Sequence, residues 1–214
     1  MSAQTVGRTV TPRGELVLRR AGGHYEIVSN GTFLMDTRDG RSERLLVDAA
    51  VEWADAPRPR VLVGGLGVGF SLAAAVAHPA VAAVTVVEVE PAVIAWQRGP
   101  LAPFSGHAAR DPRVEIVRAD LVAWIARAGP AYDVICLDID NGPAWTVVAD
   151  NAGLYAGAGL AALRGRLAPG GVLAVWSASA EPAFEDRLCG LFAEVMVRTV
   201  AVARGEPDVV YVAR

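Results

Sequence analysis

From Arg60 onward an apolar strand pattern runs into Gly64-Gly65-Leu66-Gly67-Val68-Gly69. Glycines at this density let a backbone turn sharply and approach a ligand at the start of a helix, which Ser71 to Ala77 is expected to form. Glu88 ends the next apolar run, nineteen residues after Gly69, where a carboxylate accepts from ribose hydroxyls. Strand, glycine turn, helix, strand and acid together describe a nucleoside-cofactor site, with Gly65, Gly67 and Gly69 beneath the ligand. Phe70 stands where a nicotinamide fingerprint requires glycine, so the spacing suits the Gly-x-Gly-x-Gly of S-adenosylmethionine enzymes better.

Further acids follow at the ends of later strands. Asp120 closes the run Arg113 to Arg118 and is placed to accept from an adenine amino group; a carboxylate there is also a common helix N-cap. Asp138-Ile139-Asp140-Asn141-Gly142-Pro143 follows the fourth apolar run, and two carboxylates two residues apart can hold a cation and take its proton. Asn141, Trp145 and Tyr155 stand on or beside this loop and are expected on the substrate side. The two aromatics are expected to wall a cationic or aromatic substrate, against the plainer alternative that they simply pack.

The elements that position these residues alternate along the chain. Val61 to Val63, Val84 to Val87, Val114 to Val117, Val134 to Leu137 and Val172 to Trp176 each precede a helix-like stretch, which predicts a parallel sheet covered on both faces. Val195 to Val202 and Val209 to Val212 are separated only by Ala203 to Asp208, too short for a crossover, so they should form an antiparallel hairpin. Before Arg60 the pattern differs. Glu15 to Arg20, Tyr25 to Ser29 and Thr32 to Asp36 are short alternating runs with Asn30-Gly31 as a hairpin turn. Ser42 to Trp53 then has helical spacing with Ser42 as its expected N-cap. The predicted fold is α/β, a Rossmann-like doubly wound sheet, mostly parallel with a C-terminal antiparallel hairpin, plus a small N-terminal β appendage. Residues 1–54 are expected to hold the appendage and linking helix, and 55–214 the S-adenosylmethionine-binding α/β domain.

Composition narrows the function. The 214 residues are 53% hydrophobic with a formal net charge of −3, and no basic stripe is present, so nucleic acid is not expected as a partner. Val61 to Val87 carries no charged side chain, but its glycines and His78-Pro79 argue against a membrane span. Cys136 and Cys189 both sit in apolar runs and no signal pattern opens the chain, so a reduced, cytoplasmic protein is expected. His24, His78 and His107 lack ligand spacing, and no metal is assigned.

Val87-Glu88-Val-Glu-Pro-Ala-Val-Ile94, Tyr132-Asp-Val-Ile-Cys-Leu-Asp138 and Gly142-Pro143-Ala144 resemble the ribose strand, fourth strand and gate loop of the spermidine synthase family, aminopropyltransferases on the class I methyltransferase fold. The resemblance extends over nearly the whole chain, with Asn30-Gly31 at the family's hairpin turn. It implies Gly65, Gly67 and Gly69 under a sulfonium nucleoside, Glu88 on ribose, Asp120 on adenine, Asp138 as the base, and Asp140 approximating a second acid. The family's hairpin domains commonly pair, which leaves a homodimer open. Departures are as informative. Val68 replaces an Asp that holds the amino group of decarboxylated S-adenosylmethionine, Glu43-Arg44 replaces a Tyr-Gln pair of the polyamine slot, Gly14 replaces a Gln, and the gate loop is two residues shorter. Without the Asp, discrimination against the carboxylate of intact S-adenosylmethionine is lost. The leading expectation is therefore methyl transfer from S-adenosylmethionine to a small amine or other small nucleophile. Aminopropyl transfer from the decarboxylated donor is the alternative, and a silent nucleoside-binding protein is the third. Arg44 in the slot would oppose a diammonium ligand, so putrescine is not the expected acceptor.

Overall fold

Two sheets form because the chain carries two kinds of strand pattern. The computed structural model describes residues 3–146, 149–203 and 205–214. Met1, at the head of the segment scanned for a signal pattern, and Arg204, in the expected hairpin connection, lie outside the described residues. Strands β1 (Gln4–Thr11), β2 (Gly14–Ala21), β3 (His24–Ser29) and β4 (Thr32–Asp36) make a four-stranded antiparallel sheet in that order. Asn30 and Gly31 both adopt positive φ (50° and 81°) in the β3–β4 turn, the conformation that a two-residue hairpin requires. The first strand is not anticipated by the sequence pattern. Its Val6 and Val10 are 46% and 76% exposed, so β1 lacks the buried face that makes alternation conspicuous.

Arg60–Gly64 (β5), Ala83–Glu88 (β6), Val114–Arg118 (β7), Tyr132–Leu137 (β8), Leu167–Ser177 (β9), Val195–Val200 (β10) and Asp208–Ala213 (β11) form the second sheet, in the order β10-β11-β9-β8-β5-β6-β7. Strands β5 to β9 run parallel, while β11 is antiparallel to both β9 and β10. Alternate residues divide between two cores. Val61, Val63, Val134 and Cys136 join the layer under α1 (Arg41–Trp53) and α2 (Phe70–Ala77), while Leu62, Ile135 and Leu137 join the layer under α4 (Leu121–Ala126), α5 (Ala152–Tyr155), α6 (Gly157–Gly165) and α7 (Pro182–Leu191). A seventh helix, α3 (Pro91–Gln97), follows β6 and buries Val93 and Gln97. The apolar run Val61 to Val87 is thus β5, α2 and β6, and among the described residues no helix is long and apolar enough to cross a membrane.

Helix α1 departs from expectation at its start. Gly40 is the N-cap and makes no side-chain cap bond, while Ser42 lies inside the helix. Its hydroxyl is drawn away to Asp208 on β11, 2.6 Å distant. With Leu46, Val47 and Ala50 buried, α1 packs beside α2 and against β9 and β11, joined in one core by Leu16, Leu18 and Ile27 of the smaller sheet.

The chain order places β6 on one side of β5 and β8 on the other. Ligand crevices of open α/β sheets lie at the carboxyl ends of the strands, where the winding reverses in this way. On the α4–α7 side, Phe184 is fully buried and stands edge-on to Tyr155 (5.8 Å) and Tyr211 (5.2 Å). Phe184→Ala should lower the free energy of unfolding by about 3 to 5 kcal/mol, read as a fall in the urea midpoint at unchanged slope.

Candidate active site

The loop after β5 is tied down at nearly every residue. Gly65 N–H donates to Val87 O (3.0 Å), Leu66 N–H to Glu88 Oε2 (3.0 Å), and Gly69 N–H to Leu66 O (2.8 Å). Gly65, Gly67 and Gly69 have φ of 89°, 46° and 88°, the left-handed region that favours glycine. Close packing excludes side chains there as well. A Cβ on Gly65 would collide with the Asp138 carbonyl, on Gly67 with the Met35 thioether, and on Gly69 with Gln97 Nε2 and Ser105 Cβ, both at 2.8 Å. The chain's own neighbours therefore demand these glycines, in addition to any ligand approach.

Beside this loop is a small cavity of about 60 Å³, lined by Gly65, Glu88, Asp120, Ile139 and Asn151 among others. Glu88 is buried, with Oε1 accepting from Glu90 N–H (2.7 Å) and Oε2 from Leu66. Burial nevertheless wins over these two bonds and raises its pKa. Asp120 caps α4 through Ala123 N–H (2.9 Å), the plainer of the two roles weighed for it, and its residue also lines the cavity. An ionised carboxylate offers about four acceptor sites, so each acid retains capacity for a hydroxyl or amino donor.

Asp138 follows β8 and faces the α1–α2 layer. Its backbone N–H donates to Gly64 O (2.8 Å), and its Oδ2 accepts from Ser71 Oγ of α2 (2.6 Å). The nearby acid is Glu43 of α1, 8% exposed. Burial raises the pKa of both carboxyls, and the negative charge of Asp138 raises Glu43 further. The single Ser42 proton lies between two acceptors, 2.6 Å from Asp208 Oδ2 and 3.0 Å from Glu43 Oε2, and it can serve only one at a time. Burial raises Asp208 as well. The Trp176 indole approaches Asp208 and partly counters that shift, although its buried Nε1 closes no hydrogen bond of ordinary geometry.

Tyr155 and Arg44 depart from expectation here. Asp140 takes a hydrogen bond from a different element than Asp138 does. It turns at φ 56° and its Oδ2 accepts from Asn151 Nδ2 (2.7 Å). Tyr155 is not a wall of an open site, because it is 2% exposed, packs on Phe184 and donates its hydroxyl proton to Ile139 O (3.2 Å). Trp145 is 60% exposed, and its backbone N–H closes a turn onto Gly142 O while its carbonyl accepts from Asn141 N–H. Arg44 does not enter the interior. Its guanidinium lies over the Phe70 ring at 4.6 Å on the exposed side of α1. Among the described residues no group of three His, Cys, Asp or Glu is placed to hold a metal.

Glu43, Ser71 and Asp208 carry no motif. Asp208 had a topological signal, since the first residue of an antiparallel last strand arrives at the same edge as the carboxyl ends of the parallel ones.

The model of the spermine/spermidine synthase domain matches residues 43–202. The chain belongs to the spermine/spermidine synthase domain family. Curated relatives include polyamine aminopropyltransferase 2 of Pseudomonas aeruginosa, 33% identical over 61% of this chain and 36% of that protein, and polyamine aminopropyltransferase of Mycobacterium tuberculosis, 30% identical over 77% of this chain and 31% of that protein. The chain thus spans about a third of the length of these relatives. Among solved structures, a spermidine synthase in complex with the transition-state analogue AdoDATO superposes with a TM-score of 0.82 at 18% identity, covering 98% of this chain and 73% of that one. Human methyltransferase-like protein 13 in complex with SAH gives 0.63 at 20% identity, covering 81% and 82%. These likenesses show a fold shared by the synthase family and a methyltransferase.

The weakened acids make a stability test with a definite sign. A carboxyl whose folded pKa lies above its unfolded value of about 4 binds an extra proton in the folded state between those two values. Stability falls as pH rises through that window and stays lower above it. Asp138→Asn keeps an acceptor for Ser71 and removes the buried charge. It should raise the melting temperature at neutral pH by about 2 °C or more, with the gain vanishing near pH 4, as followed by circular dichroism.

Proposed function

We propose that the protein is an aminopropyltransferase of the polyamine type, acting on a sulfonium nucleoside and a small amine. The observation that carries this reading is Asp138, a carboxyl weakened by burial, fixed by Ser71 and by the Gly64 carbonyl at the rim of the glycine loop. The lining of the cavity supports the nucleoside half of this reading, because two carboxylates with spare acceptor capacity, Glu88 and Asp120, meet Gly65 there. Glu88 would take the ribose hydroxyls and Asp120 the adenine amino group. Decarboxylated S-adenosylmethionine supplies an activated carbon on sulfur. The amine nitrogen forms its new bond to that carbon, the carbon–sulfur bond breaks, methylthioadenosine leaves, and Asp138 takes the proton lost by nitrogen.

The acceptor side is anionic. Glu43, Asp138 and Asp208 come together around the hydroxyls of Ser42 and Ser71, while Arg44 stacks outside on Phe70. Arg44, stacked outside, therefore puts no charge into the slot to oppose a diamine. A positively charged amine is the acceptor class that such a surface recognises. Methyl transfer from intact S-adenosylmethionine is the second reading, favoured by Val68 alone, whose buried side chain (1% exposed) puts no carboxylate on the loop.

Mass spectrometry of incubations with each donor and a panel of mono- and diamines tests the assignment. Methylthioadenosine and an aminopropylated amine are expected from the decarboxylated donor. Methylated product from intact S-adenosylmethionine alone would replace this reading by the second, and binding without turnover across the panel would leave a silent protein. Asp138→Asn should slow turnover about 100-fold or more. Because the base must be ionised, turnover should fall as pH drops through the range of the coupled pair, above that of an ordinary aspartate. Glu43→Gln should merge two titration steps into one lower step and raise the KM for the amine about tenfold.

A further inference from the structure

Gln97 ends α3, outside every residue assigned a part in binding or chemistry, and it is fully buried. Its Nε2 donates to the Gly67 carbonyl at 2.9 Å, and its Oε1 accepts from Ser105 Oγ at 3.0 Å. Ser105 is itself 2% exposed, and its hydroxyl also lies 3.2 Å from Ala102 O. The pair fills the space in which a side chain at position 69 would sit. The amide has one workable orientation. Rotated by half a turn it would set Oε1 against the Gly67 carbonyl oxygen, two acceptors with no proton between them, and both would be left unsatisfied in the interior. The Gly67 carbonyl, which can only accept, selects this orientation, and the Ser105 hydroxyl braces the other end of the amide. On the opposite side of the loop Met35 Sδ of β4 accepts from Val68 N–H at 3.3 Å.

We propose that Gln97, braced by Ser105, is a positioning residue that latches the glycine loop in its nucleoside-receiving turn before any ligand arrives. The proposal rests on the nucleoside reading of the loop for its effect on binding, but not for the latch itself. Gly67 has φ 46°, and its carbonyl follows no strand ladder or helix. Without the Gln97 donor the loop must order itself when the nucleoside binds, and the affinity carries that cost.

Two readouts separate a latch from a merely structural core residue. Amide hydrogen exchange of residues 64–70 in the free protein should rise in Gln97→Met, which keeps length and volume and removes both hydrogen bonds, while the strands β5, β6 and β8 stay protected. Affinity for methylthioadenosine, measured calorimetrically, should fall about tenfold in the same variant. Gln97→Glu supplies a conditional rescue. A buried carboxylic acid donates to the Gly67 carbonyl only while protonated, so this variant should bind nearly as tightly as wild type at about pH 5 and about tenfold more weakly at about pH 8, beyond any drift in wild type. If Gln97→Met does not fold, Ser105→Ala carries the test through the same loop exchange, with a smaller expected rise. Unchanged loop exchange in the folded variants, or a rise spread evenly over the sheet, overturns the proposal. Should wild type bind no nucleoside at all, the proposed function falls, while loop exchange still decides the latch.

Discussion

At the carboxyl end of β5 the main chain has room for hydrogen atoms and nothing larger. Three glycines pass within contact of the Asp138 carbonyl, the Met35 thioether and the Gln97–Ser105 pair. Each contact comes from a different part of the chain, namely β8, the smaller sheet and the α3–β7 connection. The loop is therefore the point at which these units are registered against one another. A single added methyl group at any of the three positions would displace backbone or a packed side chain and also demand a left-handed φ. The smaller sheet owes its place to the same constraint, since Met35 closes one side of the loop and Leu16, Leu18 and Ile27 enter the main core.

Electrostatics in the crevice follow from burial more than from ion pairing. The salt bridges are mostly on the surface and include Arg38 with Glu26 and Asp36, and Arg41 with Asp39. Such exposed pairs stabilise little. Glu43, Asp138 and Asp208 take their hydrogen bonds largely from serine hydroxyls, which satisfy lone pairs without cancelling charge. Carboxyls so placed hold their protons more strongly than free ones do. The arrangement costs stability at neutral pH and gives acids whose titration lies closer to it, a trade common at sites that move protons.

Much of this architecture is legible in the sequence, for definite physical reasons. Strands β5, β6 and β8 are buried on both faces, so Val61 to Val63, Val84 to Val87 and Val134 to Leu137 are unbroken apolar runs that need no partner to be recognised. The glycine loop, Glu88 and Asp120 are local too, since strand, turn and acid follow one another. What escapes is whatever depends on long-range pairing. β1 carries its valines outward. Ser42 resembles a cap and instead reaches Asp208 across the fold. Glu43 and Arg44 are adjacent in sequence, yet one helical step rotates them by about 100°, which sends the acid inward and the guanidinium onto Phe70. Choosing Arg44 as the inward residue reverses the sign of the charge expected beside Asp138.

The separation between the reacting partners is set by the same backbone. Asp138 donates its N–H to Gly64 O, presses its carbonyl on Gly65, and ties its side chain to Ser71 at the start of α2. The helix that begins with Phe70 continues directly from the glycine loop. Asp138 and the glycine loop are thus two ends of one hydrogen-bonded unit, β5–loop–α2 against β8. If Asp138 is the base proposed above, an amine held by it would have its distance to the loop prescribed by the sheet itself. For a reaction whose electrophile is already activated, alignment is the larger part of what a protein has to supply. On the proposed function, the acceptor side could then draw carboxylates from α1 and β11 while the β5–β8 junction stays fixed. On that reading the junction would fix where the nitrogen stands, and the residues around it would decide which nitrogen is admitted.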